Sequence, residues 1–539
     1  MKGCLVVRQP FFICIWGLVL RSYHDFFKMR WFGDDFFNGL TYNIIGYVLV
    51  GLVLMSSPSV FAEGSYVKFT PKLQKAYFEI QKLRLQTARN LIDEERELNR
   101  DNVFVDYLDN YADMHYLMIS ENRSAFKKLV DQEDSRLSAV GKLPDSSPYK
   151  KFFQAEIRLH WAFAKIKFGN EVSGAWEVIK AYRLLADNRK TFPTFLPTQK
   201  SLGFLHVIIG SVPENFTWVT KMLGLKGNID QGIAEIQTVA QGNSLFEQEA
   251  QLMDLLLHAY TLKLDSSQLA RIKQLPKNNP DNLLLHFFAT TTLMKEGDSR
   301  AAAWYLHEAP FGSAYISFPF LNYLKGEIAL QQGKYDAAFN AYSLFQREYK
   351  GFNYIKDSNL KMFMCRWLAN RDSEAASYIV KIRDSGSAII EADKLALRFA
   401  EEYGAGKLTS QQKLLYKSRY ATDGGYLSEA LSILSPVSEN SFTTQADKAE
   451  YNYRKGRILQ KMKQEADAIP YLSRAVTITS GTSIGFGASS ALQLGYIYAE
   501  KKQKANAIQF FIKAMSYKKY EYKNSIDSKA RAALTEMGQ

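Results

Sequence analysis

Residues 488–515 read ASSALQLGYIYAEKKQKANAIQFFIKAM. Small or apolar residues fall at Ala491, Leu494, Gly495 and Tyr498, then after a polar turn at Ala507, Phe511 and Ala514. Intervals of three and four place each set on one helix face, so the stretch predicts two antiparallel helices. Glycine inside a helix costs roughly 0.5–1 kcal/mol relative to alanine, so Gly495 needs a packing reason. Lacking a Cβ, it lets the second helix come close, and Ala507 does the same from the other side. Tyr498 and Phe511 are expected to fill the gap between neighbouring hairpins. A lone hairpin cannot bury its apolar face, so such units must stack.

The plan recurs along the C-terminal half. Residues 449–476 carry it with Gly456, Leu459, Ala468, Leu472 and Ala475, and residues 321–342 with Gly326, Ala329, Gly333, Ala338 and Tyr342. Weaker copies align Ala289 with Tyr305, Phe363 with Ile379, and Ser418 with Leu434. The key positions 289, 326, 363, 418, 456 and 495 lie 37 to 39 residues apart, except for one interval of 55. That interval leaves room for an additional helix, EADKLALRFAEEY.

This pattern resembles the tetratricopeptide repeat. Gly495, Tyr498, Ala507, Phe511 and Ala514 match it position by position, whereas Ala491 replaces the usual tryptophan and the closing proline is absent. The resemblance implies a superhelix of helix pairs with a concave, partner-binding face. The expected fold is all-α: an α-α superhelix (a tetratricopeptide-like solenoid) over residues 233–515 and an irregular helical N-terminal half over 65–209. A joint at 210–232 would link them, and residues 516–539 would form a capping helix and tail.

In the N-terminal half, the run from Thr70 to Asn102 reads as one long helix opened by a Thr-Pro signal. Residues 148–188 read as a degenerate hairpin with Ala155, Ala162 and Ala181. The joint, GSVPENFTWVTKMLGLKGNIDQG, contains no catalytic cluster. Phe216, Trp218 and Met222 form an apolar wedge, read as a structural joint with a ligand groove as the alternative. Gly224 is expected to allow close packing or a cap, and Gly227 to need a positive φ. With Pro213, Lys226 and Gly232 this segment is similar to a joint in a family of eukaryotic tetratricopeptide proteins that includes an outer mitochondrial membrane member and the repeat-39 proteins.

The chain has 539 residues, is 47% hydrophobic and carries a formal charge of +13. The positive excess is spread out without an Arg-rich block, so no nucleic-acid partner is expected. Residues 44–55, IIGYVLVGLVLM, form a run suited to a signal peptide, with a cleavage rule met after Ala62 and Met29 as a second candidate start. Residues 1–62 therefore read as a signal peptide or N-terminal membrane anchor. Past that leader Cys365 is the one cysteine, in the apolar KMFMCRWLA. This composition suits a bacterial periplasm or cell envelope.

His160, His206, His258 and His286 sit in apolar helical settings that suggest satisfied imidazoles rather than metal ligands. No nucleophile elbow, zinc signature or dinucleotide fingerprint occurs, so no cofactor is expected. The leading expectation is a non-enzymatic scaffold engaging a protein or peptide through Asn322, Tyr323, Asn452, Tyr453 and Gln493. The alternatives are a helical-toroid enzyme or glycan-binding module, and an envelope structural protein held by its leader.

Overall fold

The computed structural model describes residues 65–212, 220, 222–406, 408–520 and 522–538. Residues 1–64, which include the expected leader and Met29, and Pro213, Phe216 and Trp218 of the joint, lie outside the described residues. Among those described the chain is helical, with one isolated bridge between Tyr66 and Asn102 and no strand.

The N-terminal half contains α1 (Pro71–Gln81), α2 (Leu85–Leu98), α3 (Phe104–Ser120), α4 (Arg123–Leu129), α5 (Gln132–Gly141), α6 (Pro148–Lys167), α7 (Glu171–Thr191), α8 (Pro197–Gly210), α9 (Ile229–Ala240) and α10 (Glu247–Tyr260). The Thr70 side chain caps α1 by accepting from Leu73 N–H, with Pro71 behind it. Helices α6 and α7 form a long hairpin, where a Cβ on Gly174 would lie 2.5 Å from the Ile166 side chain and 2.9 Å from the Ala162 carbonyl. Buried aromatics hold this half together. Tyr107 stacks on Phe153 at 4.7 Å, and Phe246 meets Phe152 edge-on at 5.3 Å.

The expected single helix from Thr70 to Asn102 is two helices. Leu83 takes φ 66° and is fully buried. Its carbonyl accepts the Ile316 N–H at 2.9 Å, Arg84 donates to the Tyr315 hydroxyl at 2.8 Å, and Lys82 pairs with Asp281 at 2.8 Å. These contacts dock the N-terminal half onto the repeats, and docking overrides the local helical preference of the sequence.

At the joint, Gly224 takes the cap conformation that was one of its two expected roles, with Leu225 N–H bonded back to the Thr220 carbonyl at 2.8 Å, but Gly227 is needed for close approach rather than for a positive φ. Gly224 has φ +71° and open space around it, whereas a Cβ on Gly227 would sit 2.2 Å from the Gly210 nitrogen. Residues 225–228 are laid directly against the end of α8, so Gly227 is needed for close approach and Gly224 for its dihedral. Gly203 and Gly232 make a second such approach where α8 crosses α9, each facing the other's carbonyl. Met222 is 69% exposed.

The remaining helices are α11 (Ser266–Asn278), α12 (Leu283–Glu296), α13 (Ser299–His307), α14 (Phe320–Gln331), α15 (Tyr335–Glu348), α16 (Ile355–Leu368), α17 (Asp372–Asp384), α18 (Glu391–Gly404), α19 (Gln412–Asp423), α20 (Leu427–Leu434), α21 (Gln445–Lys461), α22 (Glu465–Ile478), α23 (Gly485–Glu500), α24 (Lys504–Ser516) and α25 (Lys523–Glu536). Six pairs, beginning at α12, α14, α16, α19, α21 and α23, pack as hairpins, and α18 lies against α16 and α17 in the long interval. Each of the three key glycines has its partner sixteen positions on. A Cβ on Gly326 would lie 2.7 Å from the Tyr342 ring, on Gly456 2.7 Å from Leu472, and on Gly495 2.5 Å from the Phe511 ring. Phe511 therefore fills its own hairpin rather than the gap to the next. Tyr498 does likewise, stacking at 5.4 Å on Phe510.

Candidate functional site: the face of the first helices

An α-helix advances 100° per residue. In each pair, the residue after the key position and the residue three before it share a face about a quarter turn from the second helix. The residues after the key positions are Thr290, Glu327, Met364, Arg419, Arg457 and Tyr496. Those three before are His286, Tyr323, Leu360, Leu415, Tyr453 and Leu492. Successive first helices contact one another from α19 through α21 and α23 to α25, so their faces form a row.

Over the first four pairs this row is buried. Tyr323 is 1% exposed and donates its hydroxyl to Asp357 at 2.5 Å. Glu327 accepts from the Tyr342 hydroxyl and pairs with Lys361 at 3.0 Å, and the Lys361 ammonium lies over the Tyr420 ring at 5.6 Å. The fourth pair also folds back on the first two. Gln332 donates to the Tyr426 hydroxyl at 2.9 Å, the Ser299 N–H reaches the Gly424 carbonyl at 3.2 Å, and Arg300 pairs with Glu429 at 3.1 Å. Burial works against the charge on Lys361, yet Glu327 and Asp357 hold its pKa above the usual lysine value. Burial pushes the Asp393 carboxyl up to about 8, and the Asp357 and Glu121 charges push the same way. The backbone N–H groups of Asp357 and Tyr354, donated to its two oxygens, oppose the rise.

In α21 and α23 the row opens. Tyr453, Arg457 and Tyr496 are half-buried, while Leu492 stays buried. Tyr453 packs on Phe486 at 5.6 Å, and Arg457 donates to the neutral Gln460 at 2.8 Å. Glu450 is bound by Arg454. Burial opposes its ionisation, but Arg454, with Arg419 beyond it, keeps its carboxyl below the usual range. The result is a polar and aromatic strip of mixed charge.

The five residues expected at the partner groove are not equivalent. Tyr323 is core, because Asp357 of the adjacent first helix closes over it. Asn452 is also core. It stands four residues before its glycine, outside the row, and donates to Glu439 at 2.9 Å and to the Lys448 carbonyl at 2.9 Å. Asn322 has the same phase, is half-buried and donates to Glu348 at 3.0 Å. Tyr453 and Gln493 are half-buried on first helices of the open part, with Tyr453 in the row itself. Arg457, Glu450 and Tyr496 were missed, although the step of one after each glycine places Arg457 and Tyr496 in the row.

Cys365 is buried, and burial pushes its thiol up. His206 contacts Glu235 at 2.7 Å, while His258 and His286 bond backbone carbonyls at 2.9 Å. Among the described residues no His, Cys, Asp and Glu cluster could hold a metal ion, and no helix is long and apolar enough to cross a membrane.

The tetratricopeptide repeat family matches the chain at residues 449–481 and 488–520. No curated protein matches it. The matched segments cover α21 to α24, the two pairs in which the first-helix face is open. The chain thus carries two tetratricopeptide-like repeats within a helical arrangement of packed pairs.

Proposed function

We propose that this protein is a non-enzymatic scaffold that holds an extended segment of a protein partner along the first-helix face of α21 and α23. The observation that carries this reading is the change in exposure along the row: buried from Thr290 to Arg419, half-buried at Arg457 and Tyr496. Half-buried Tyr453 and Tyr496 offer apolar bodies with polar tips. Arg457, bonded to a neutral amide, suits an acidic side chain of the partner. The likeness of residues 213–232 to the joint of the repeat-39 family belongs to the same reading, with the pairs forming a continuous superhelix. The leader adds a location, export to the periplasm or cell envelope, with a retained N-terminal anchor as its alternative.

Selection of a displayed random-peptide library on the full chain tests the binding role. Enriched peptides are expected to carry an acidic residue near an apolar one and to lose at least about tenfold in affinity for Arg457→Glu, the scale of one charge-assisted contact. Peptides bound equally well by that variant place the partner surface elsewhere. N-terminal sequencing of the mature protein tests the location, which predicts a start at Glu63.

A further inference from the structure

A cavity of about 180 Å³ lies where α3, α6, α8, α10 and α12 converge, far in sequence from the open repeat face. Its walls are apolar, with Met114, Met118 and Met253 among them and Phe204 and Phe288 beside these. A dry cavity of about 150 Å³ is enough for a benzene ring. One end is different in kind: Lys200, Glu156, Glu249, Ser201, His115 and His160 all line it.

At that end the carboxylates keep spare acceptor capacity. Lys200 is fully buried, reaches Glu156 at 2.7 Å and Glu249 at 3.0 Å, and has Phe246 beneath it at 5.7 Å. Ser201 donates to the other Glu156 oxygen, and the Tyr77 hydroxyl to the other Glu249 oxygen. Each carboxylate oxygen so far accepts one of these bonds and can take another. Glu249 is the least buried of the three charged side chains, at 15%.

The histidines are neutral. Burial holds both below the usual value, His160 at about 3. Arg136 donates to Asn110 Oδ1, which turns Asn110 Nδ2 toward His160 Nδ1 at 2.9 Å. His160 therefore carries its proton on Nε2. His115 donates from Nδ1 to the Tyr111 carbonyl at 2.9 Å, leaving Nε2 as an acceptor. Arg136 itself is bound by Asp113 at 2.5 Å. Among the charged groups that line the cavity one ammonium stands against two carboxylates, while behind Asn110 the Asp113 carboxylate is shared by Arg136 and Arg89.

We infer that this cavity is a binding site for a small organic cation, a primary ammonium group on an apolar body about the size of a phenylethyl group. The ammonium would sit against Glu249 and His115 Nε2, and the ring among the methionines. A carboxylate ligand would meet two carboxylates and a lysine already engaged by both, with the neutral His160 Nε2–H as its one further donor, and a neutral alcohol would leave the excess charge uncompensated.

Calorimetric titration of the full chain with 2-phenylethylammonium, 2-phenylethanol and 3-phenylpropanoate tests this. The ammonium is expected to bind at least about tenfold more tightly than the alcohol, and the carboxylate not at all. Glu249→Gln should bring ammonium and alcohol to similar affinity while the alcohol's own binding persists. Leu252→Trp, at a half-buried wall position, should abolish binding of every probe with the fold intact by circular dichroism. Binding of the carboxylate as tight as that of the ammonium, no binding by any probe, or an unchanged ammonium preference in Glu249→Gln would each overturn the assignment. Because the site shares no residue with α21 or α23, its failure leaves the peptide-binding reading untouched, and the converse holds.

Discussion

In α14 the residue after the glycine is Glu327, buried between Tyr342 and Lys361. In α21 it is Arg457, half-buried and bonded to a neutral glutamine. Both glycines do the same work against a residue sixteen positions on, so the hairpins are alike and the difference lies in what stands opposite the first helices. From α12 to α20, inserted α18 and the return of the fourth pair onto the first two bring charged side chains face to face. From α21 onward the pairs follow at 38 to 39 residues, with no insertion to close the row. One repeat register can thus yield either a filled interior or a more accessible surface, and the change falls after the fourth pair, which folds back on the first two.

The largest expected effect breaks the closed part. Lys361→Met leaves the buried Glu327 and Asp357 carboxylates without their ammonium, a loss of about 3–5 kcal/mol, readable as a lowered urea midpoint. A smaller change strikes the shared register. Gly495→Ala puts a methyl 2.5 Å from the Phe511 ring, a strain of about 1–3 kcal/mol. Because repeats couple mainly to their neighbours, hydrogen exchange should quicken in α23 to α25 and stay unchanged in α14 to α16.

The closed part should also respond to pH. Asp393, raised to about 8 when folded from an ordinary value of 3.8, binds more protons folded than unfolded between those limits. Its contribution is fully present below about pH 4 and declines as pH rises toward 8. Urea midpoints of the wild type should carry that decline between pH 5 and 8, and Asp393→Asn should flatten it, whatever the variant's absolute stability. The smallest effect sharpens the contrast. Arg457→Glu, on the open strip, should change stability by no more than about 0.5 kcal/mol while weakening the selected peptides.

Much of the repeat architecture was legible because a glycine inside a helix costs stability unless a neighbouring helix packs against it. Gly326, Gly456 and Gly495 mark the register, and the long interval before Ser418 announces α18. What was not legible depends on contacts between distant residues. Nothing local distinguishes Tyr323 from Tyr453, each three before a glycine, yet Asp357 buries one and solvent reaches the other. The break at Leu83 is decided by Ile316 and Asp281, more than 190 residues away. Gly227 serves close approach rather than a positive φ because it packs against Gly210, across the segment rather than within it. The cavity draws its walls from five helices between residues 104 and 296, and no sequence period links them.

The most direct test of the contrast is the hydrogen-exchange footprint of a selected peptide on the full chain. Protection is predicted over residues 446–460 and 489–500, with α14 and α16 exchanging as in the free protein. Protection concentrated on α14 and α16, with α21 and α23 unchanged, would contradict it.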